Sequence, residues 1–237
     1  MRRLTEAWFE FAGVDSRDMG ILIRQMPIRY QPGRNYTRKK VSGRDGAVRV
    51  GDGSYNDVAV RLECDLHDMS RMAEVAAWLT GEGFLRFSDE PDAAYYASVE
   101  KEFSRTSIVP RLEGQRFTVA WVCHPFRYMW PEAENIVVTS SSDFVSNPGT
   151  APSNPRYKIT GSGDFSITVN GEALFFTGVD DGIIVDTELM DALTYDGLLL
   201  DNGRMSGKPP QLLPGVNVVT WSGNVRRIEI TPRWRCI

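Results

Sequence analysis

Apolar and polar residues alternate with a period of two through most of this chain, and a helical period shows once. Val58, Val60, Leu62, Cys64 and Leu66 alternate with Ala59, Arg61, Glu63 and Asp65, which makes one face of that segment apolar and the other polar, as in a half-buried strand. Phe117, Val119, Trp121 and Cys123 repeat the pattern within residues 115–123. Shorter strands are predicted at 8–11 and 21–23, around a Gly13-Val14-Asp15-Ser16 turn, and at 84–87 and 95–102, around Asp89-Glu90-Pro91-Asp92. The helical stretch is 68–80. There Met72, Val75, Ala76 and Leu79 recur at i, i+3, i+4, i+7, Asp68 or Ser70 can cap the start, and Gly81 follows the end. One helix on a largely antiparallel sheet is therefore expected for the front of the chain.

Residues 29–40 interrupt this pattern. They carry Arg29, Arg34, Arg38, Lys39 and Lys40 without an acid, and a Gly43-Arg44-Asp45-Gly46 turn follows. Such a segment extends as a loop or β-arm, and its charge suits either a solvated hairpin tip or an arm that docks on an acidic neighbour. Further on, Pro125-Phe126-Arg127-Tyr128-Met129-Trp130-Pro131 is bounded by prolines. The domain boundary is placed there, giving modules 1–131 and 132–237.

In the second module, short strands are expected at 136–139, 156–159, 165–169, 173–176, 183–186, 198–200, 216–221 and 225–231. They are punctuated by Asn170-Gly171, Pro214-Gly215-Val216-Asn217 and Trp221-Ser222-Gly223. This spacing is that of a β-sandwich or jelly roll. The Ser-, Asn- and Pro-rich connection 140–155 contains Phe144 and Val145, so it should lie along the sheets. The expected fold class is mainly β: an α+β first module with one helix, then a sandwich.

Charge and composition narrow the function. No apolar run approaches the roughly 20 residues of a membrane-spanning helix, and Met1-Arg2-Arg3-Leu4-Thr5-Glu6-Ala7 opens no secretory signal. Residues 1–131 hold 19 Lys and Arg against 18 Asp and Glu, and the remainder 8 against 13. Neither module has the concentrated basic face of a DNA binder, so no specific nucleic-acid partner is expected. Cys64, Cys123 and Cys236 are an odd number in a chain too large to need stapling, which points to free thiols in a reducing compartment.

Candidate chemistry is thin. Cys64 and His67 with Cys123 and His124 offer zinc-type ligands, but adjacent strand residues point to opposite faces and cannot easily converge. Asp181, Asp186, Asp191, Asp196 and Asp201 recur every five residues, an odd spacing that scatters carboxylates on strand or helix alike. A calcium site near Asp180, Asp181 and Asp186 is the alternative, since a hard cation needs only clustered oxygens. Trp221, Trp234 and Tyr195 are the candidates for stacking on a sugar, with Trp221 in phase with Val219 and Trp234 placed past Pro232, where it could be exposed. No nucleophile elbow and no phosphate-binding glycine loop is present, so neither an enzyme nor a cofactor is expected.

Several landmarks in order resemble the distal tail protein family of long-tailed, non-contractile bacteriophages. They are Phe9-Glu10-Phe11-Ala12-Gly13-Val14-Asp15-Ser16 with Met19-Gly20-Ile21, Gly43-Arg44-Asp45-Gly46, Trp78-Leu79-Thr80-Gly81, Leu85-Arg86-Phe87-Ser88-Asp89-Glu90-Pro91 and Tyr95-Tyr96-Ala97. Asn147-Pro148-Gly149-Thr150 with Pro155, Asn170-Gly171, Pro214-Gly215-Val216-Asn217, Trp221-Ser222-Gly223 and Pro232-Arg233-Trp234 complete the set. The resemblance implies a homohexameric ring at the virion tail tip, assembled in the bacterial host cytoplasm and built by the first modules, with galectin-like sandwiches facing outward. It implies a hub that joins the tail tube protein to the tail-associated protein, anchors receptor-binding proteins and lets DNA through its channel. Arg38, Lys39, Lys40, Gly43, Arg44, Asp45 and Gly46 are then the candidate oligomer interface. A carbohydrate-binding adhesin using Tyr195, Trp221 or Trp234 is the alternative.

Overall fold

The computed structural model describes residues 7–99, 103–106 and 115–237. The segment read for a signal peptide lies mostly outside them, as do the last three positions of the strand expected at 95–102. The chain divides into two compact units, Met1–Arg127 with Ile237, and Tyr128–Cys236.

The first unit holds β1 (Phe9–Phe11), β2 (Val14–Asp15), β3 (Ile21–Ile23), β4 (Thr37–Lys40), β5 (Ala47–Val50) and β6 (Val58–Leu66). The helix α1 (Met72–Trp78) follows, then β7 (Gly81–Phe87), β8 (Glu90–Val99), β9 (Phe103–Thr106) and β10 (Gln115–Met129). All but β4 and β5 join one sheet in the order β2-β1-β7-β8-β10-β6-β3, with β9 also on β10. The alternation in β6 is realised as expected: Val60, Leu62, Cys64 and Leu66 are buried and pair across to Trp121, Val119, Phe117 and Gln115.

Helix α1 is shorter than its pattern. Asp68 accepts the Ser70 N–H at 2.9 Å, but the first turn, Met69–Arg71, is a 3-10 turn, and the α-helix proper buries Met72 and Val75. Gly81, at φ +76°, ends it and opens β7 three residues earlier than expected. Trp121 sits at the core with no exposure, edge-on to Phe9 at 5.2 Å between ring centroids. Trp78 stacks flat on Phe9 at 5.5 Å and donates its indole N–H to the Phe11 carbonyl at 3.0 Å.

Strand β10 corrects one reading: it continues through Pro125 to Met129 instead of stopping at 123. Its pairing with β6 ends at Cys123 opposite Val58, so a proline two residues later takes no N–H from that ladder.

The second unit holds β11 (Ile136–Val138), β12 (Asp143–Asn147), β13 (Arg156–Val169), β14 (Glu172–Val179), β15 (Gly182–Asp186), β16 (Asp191–Thr194), β17 (Met205–Ser206), β18 (Gly215–Thr231) and β19 (Arg235–Cys236). The main sheet runs β11-β18-β13-β14-β17, with β12 also on β18 and the β15–β16 hairpin on the first part of β13, along the same edge as β14. The expected strand pairs 156–159 with 165–169, and 216–221 with 225–231, are in fact single long strands, β13 and β18. Gly223, read with Trp221 and Ser222 as a break between strands, marks a bulge: the register between β13 and β18 shifts at Gly161 and again between Ser162 and Phe165. Gly223 lies opposite that bulge at φ +86°, where a Cβ would stand 2.6 Å from the Asp164 carbonyl. Both halves of these bent strands feed one core, from Tyr157, Ile159, Ile228 and Ile230 at one end to Ile167, Val169, Phe176 and Val219 at the other. The molecule is mainly antiparallel β with, among the described residues, one α-helix.

One expected strand is absent. Residues 198–200 form a bend with one bridge, Leu193 to Leu200, and the second strand of that hairpin is β16, which starts seven residues earlier. Asp196 accepts the Thr194 hydroxyl at 2.5 Å and the Leu198 N–H at 3.1 Å, which turns the chain before the leucines.

Candidate functional site

The basic segment folds into a projecting two-stranded arm. Thr37, Arg38, Lys39 and Lys40 of β4 face Val50, Arg49, Val48 and Ala47 of β5, and this pair joins no other sheet. The ladder is extended toward its base by an Arg34–Tyr55 bridge and by hydrogen bonds from Asn35 to Ser54 and from Asn56 to Gly33, both 2.9 Å. Gly51 is needed at the base, since a Cβ there would lie 2.6 Å from the Asn35 carbonyl. Gly43 and Gly46, both at φ +76°, make the tip. Tyr55 anchors the base edge-on to Phe126 of β10 at 5.6 Å.

Every one of Arg38, Lys39, Lys40, Gly43, Arg44, Asp45 and Gly46 is exposed. Arg38 and Arg49 stand directly opposite each other, a like-charge pair that an isolated ladder disfavours. Tyr36 relieves it in part: Arg38 lies 5.7 Å and Arg49 4.9 Å from its ring centroid. The Arg38 hydrogen bond and both cations hold the Tyr36 phenol below its ordinary pKa. Arg34 stacks on Tyr55 at 4.7 Å, whereas Lys39, Lys40 and Arg44 have no partner among the described residues. Arg29 does not belong to the free set, because it pairs with Asp89 at 2.5 Å and lies over Phe87. Residues 33–56 carry six cations against two acids in a chain whose net charge is −4.

The aromatic candidates do not form a site. Trp234, expected to be exposable past Pro232, is 7% exposed and packed in the second core, and Trp221 lies half-buried against that same core. Tyr195 stands elsewhere, hydrogen-bonded to Thr160 at 2.9 Å and with the Lys158 ammonium 4.6 Å over its ring. Thr160 pairs with Arg227 on β18, six residues from Trp221, so Tyr195 and Trp221 are about 20 Å apart along the strand. The thiols and carboxylates are dispersed too. Cys64 pairs with Phe117 and Cys123 with Val58, at opposite ends of one ladder, and burial pushes the Cys123 thiol up to about 12. Of the three calcium candidates, Asp180 pairs with Arg204 and Asp186 with Arg233.

No protein-family model matches the sequence, and no curated protein does. A solved structure does. The crystal structure described as SPP1 Dit (gp 19.1) protein, a paradigm of hub adsorption apparatus in Gram-positive infecting phages, matches with a TM-score of 0.76. The match spans 98% of this chain and 99% of that one at 17% identity. The chain has the Dit fold.

In this chain the Dit fold is held by residues whose types have local reasons. Asn217, without exposure, donates from Nδ2 to the carbonyls of Val145, Leu213 and Gly215 and accepts at Oδ1 from the Leu213 N–H and Asn170. Asn147 likewise spans the Ala151 and Leu212 carbonyls and accepts the Gly149 N–H at 2.8 Å. A Cβ at Gly149 would stand 2.3 Å from the Arg235 carbonyl. Asp186 accepts a two-pronged contact from Arg233, at 2.8 and 2.7 Å, and the N–H groups of Glu188 and Leu189. Nothing in the sequence pairs Asp186 with a residue 47 positions away; the carboxylate period of five hid it among neighbours that are exposed or half-buried.

Proposed function

We propose that this chain is a structural hub of a phage tail tip. The observation that carries the reading is the match in fold, over nearly the whole chain, to a protein described as hub adsorption apparatus. In this reading copies close into a hexameric ring that joins the tail tube protein to the tail-associated protein. The second unit anchors receptor-binding proteins, and DNA passes through the ring channel. The protein is then a virion component of the tail tip, assembled in the bacterial host cytoplasm.

The arm supplies the kind of surface such a ring needs. A closed ring requires a heterologous contact, in which one patch meets a different patch on the next copy. The arm is basic and exposed, with unpaired strand edges, while the remainder of the chain is acidic. That complementarity favours docking on a second copy and makes the contact sensitive to salt.

The test is the solution mass of the purified 26.6 kDa chain by native mass spectrometry over a concentration series. A six-fold species is expected, and replacing Arg38, Lys39 and Lys40 together by Glu should shift it to smaller species. An unchanged ring in that variant removes the arm from the interface. A monomer at all concentrations, even with tail tube protein added, would overturn the hub.

A further inference from the structure

The outer face of β13 carries a second feature, independent of the ring. Arg156 and Lys158 point outward, half-buried, while Tyr157 and Ile159 fill the core. Together with Asn135, Ile184, Tyr195, Asp196, Glu229 and Thr231 they line a groove of about 380 Å³. Tyr195 reaches it because residue 182 is glycine: a Cβ there would lie 2.4 Å from the tyrosine ring.

The groups in this groove are unequally committed. Arg156, whose guanidinium rests against Gly197, has no hydrogen-bond partner among the described residues, and Lys158 has only the face of Tyr195. Asn135 accepts from the Thr231 hydroxyl at 2.8 Å, which leaves its amide N–H groups free. The acids are engaged within the chain: Asp196 by Thr194 and Leu198, Glu229 by Arg227, and Asp186, opposite Arg156, by Arg233. Each of the two groove acids, Asp196 and Glu229, keeps one carboxylate oxygen clear of these contacts.

We infer that this groove binds a saccharide bearing one oxyanion, a carboxylate or a phosphate. Arg156 and Lys158 are two residues apart on one strand face, about 6.6 Å, so both can reach a single anionic group. The free oxygens of Asp196 and Glu229 and the Asn135 amide then suit ring hydroxyls. The same two acids repel an extended polyanion such as nucleic acid. A cavity of this volume also exceeds what a lone inorganic anion fills and falls in the range of small-ligand sites.

The experiment is a ligand-observed NMR titration of the intact chain with glucose 6-phosphate, glucuronic acid, glucose and inorganic phosphate. At least one acidic sugar should bind roughly tenfold tighter than glucose and than phosphate, consistent with a charge-assisted contact. Which of the two binds identifies the oxyanion. Arg156→Met and Lys158→Met should each weaken that binding by about tenfold, with Arg226→Met, on an exposed site outside the groove, leaving it unchanged and all three melting as the parent does. Absence of binding by both acidic sugars overturns the inference. So does equal binding of inorganic phosphate, insensitivity to both methionine variants, or displacement of the sugar by a single-stranded oligonucleotide. Ring mass is read on the same samples, so loss of sugar binding with an intact hexamer, or the reverse, separates this site from the hub.

Discussion

Two antiparallel ladders of this chain, β4–β5 in the arm and β13–β18 in the second unit, share a hydrogen-bond pattern and differ in what lies beneath it. Strands β13 and β18 run for 14 and 17 residues and bury Tyr157, Ile159, Ile167, Val169, Val219, Ile228 and Ile230. The arm strands have four residues each, none of them buried. Ordering a residue costs about 1–2 kcal/mol of backbone entropy, and a backbone hydrogen bond returns only about 1 kcal/mol net. A ladder without apolar burial therefore sits near balance, and an isolated two-stranded hairpin is marginal in water. The long ladder holds its own unit together. The arm, with a like-charge pair at its centre, gains its order from ring stacking at Tyr36 and Tyr55 and, in the proposed ring, from a neighbour.

The largest expected effect is therefore in the long ladder. Ile228 pairs across to Ile159 and has no exposure. Ile228→Ala should cost about 2–5 kcal/mol through lost burial and the cavity left behind, read as a shift of the urea unfolding midpoint. A loss below about 1 kcal/mol would show that the second core repacks freely and that its bent strands are not what specifies it.

The same contrast explains what could be read from the sequence. Where burial on one face decides a strand, as in β6, the alternation of Val60, Leu62, Cys64 and Leu66 was sufficient. Glycines served two ends: Gly223, read as a break between strands, sits at a bulge in a continuous strand, where Gly161 and Gly163 lie opposite it, while Gly43 and Gly46 turn the chain as expected. A single glycine signals a backbone that needs φ > 0 or close approach, not which of the two it serves. Leu198, Leu199 and Leu200 read as a strand because apolar runs ordinarily mark burial, yet they are 66–78% exposed behind the Asp196 turn. The groove on β13 was illegible for another reason. Arg156, Asn135 and Glu229 are far apart in sequence, and only the registers of β18 with β13 and with β11 make them neighbours.

A smaller effect is expected from acid. Burial alone would raise the Asp186 carboxyl, but the Arg233 guanidinium and two N–H donors outweigh it and hold the group below the ordinary carboxylate range. A lowered native pKa adds stability above the unfolded value near 4 and loses it as pH falls through the native value. Stability measured from pH 6 down to 2 should therefore fall, and Asp186→Asn should remove part of that slope while lowering stability at pH 6 by less than Ile228→Ala does. Parallel pH profiles for parent and variant would mean that the Arg233 contact contributes nothing to folding.

The smallest effect is expected in the arm, and it is the sharpest test of the contrast. Val48 and Val50 lie on the face opposite Arg38 and Arg49, and Val50 is 49% exposed. With no core beneath them, Val48→Ser and Val50→Ser together should change unfolding free energy by no more than about 0.5 kcal/mol, measured in the Arg38, Lys39 and Lys40 to Glu background so that assembly does not contribute. A loss above about 1 kcal/mol would mean that the arm packs against its own unit, and its exposed strands would then be an internal support. In the unreversed protein, the same two serines remove apolar surface that only a neighbour could cover, so a weaker oligomer with an unchanged monomer locates the missing half of the arm's stability in the next copy of the chain.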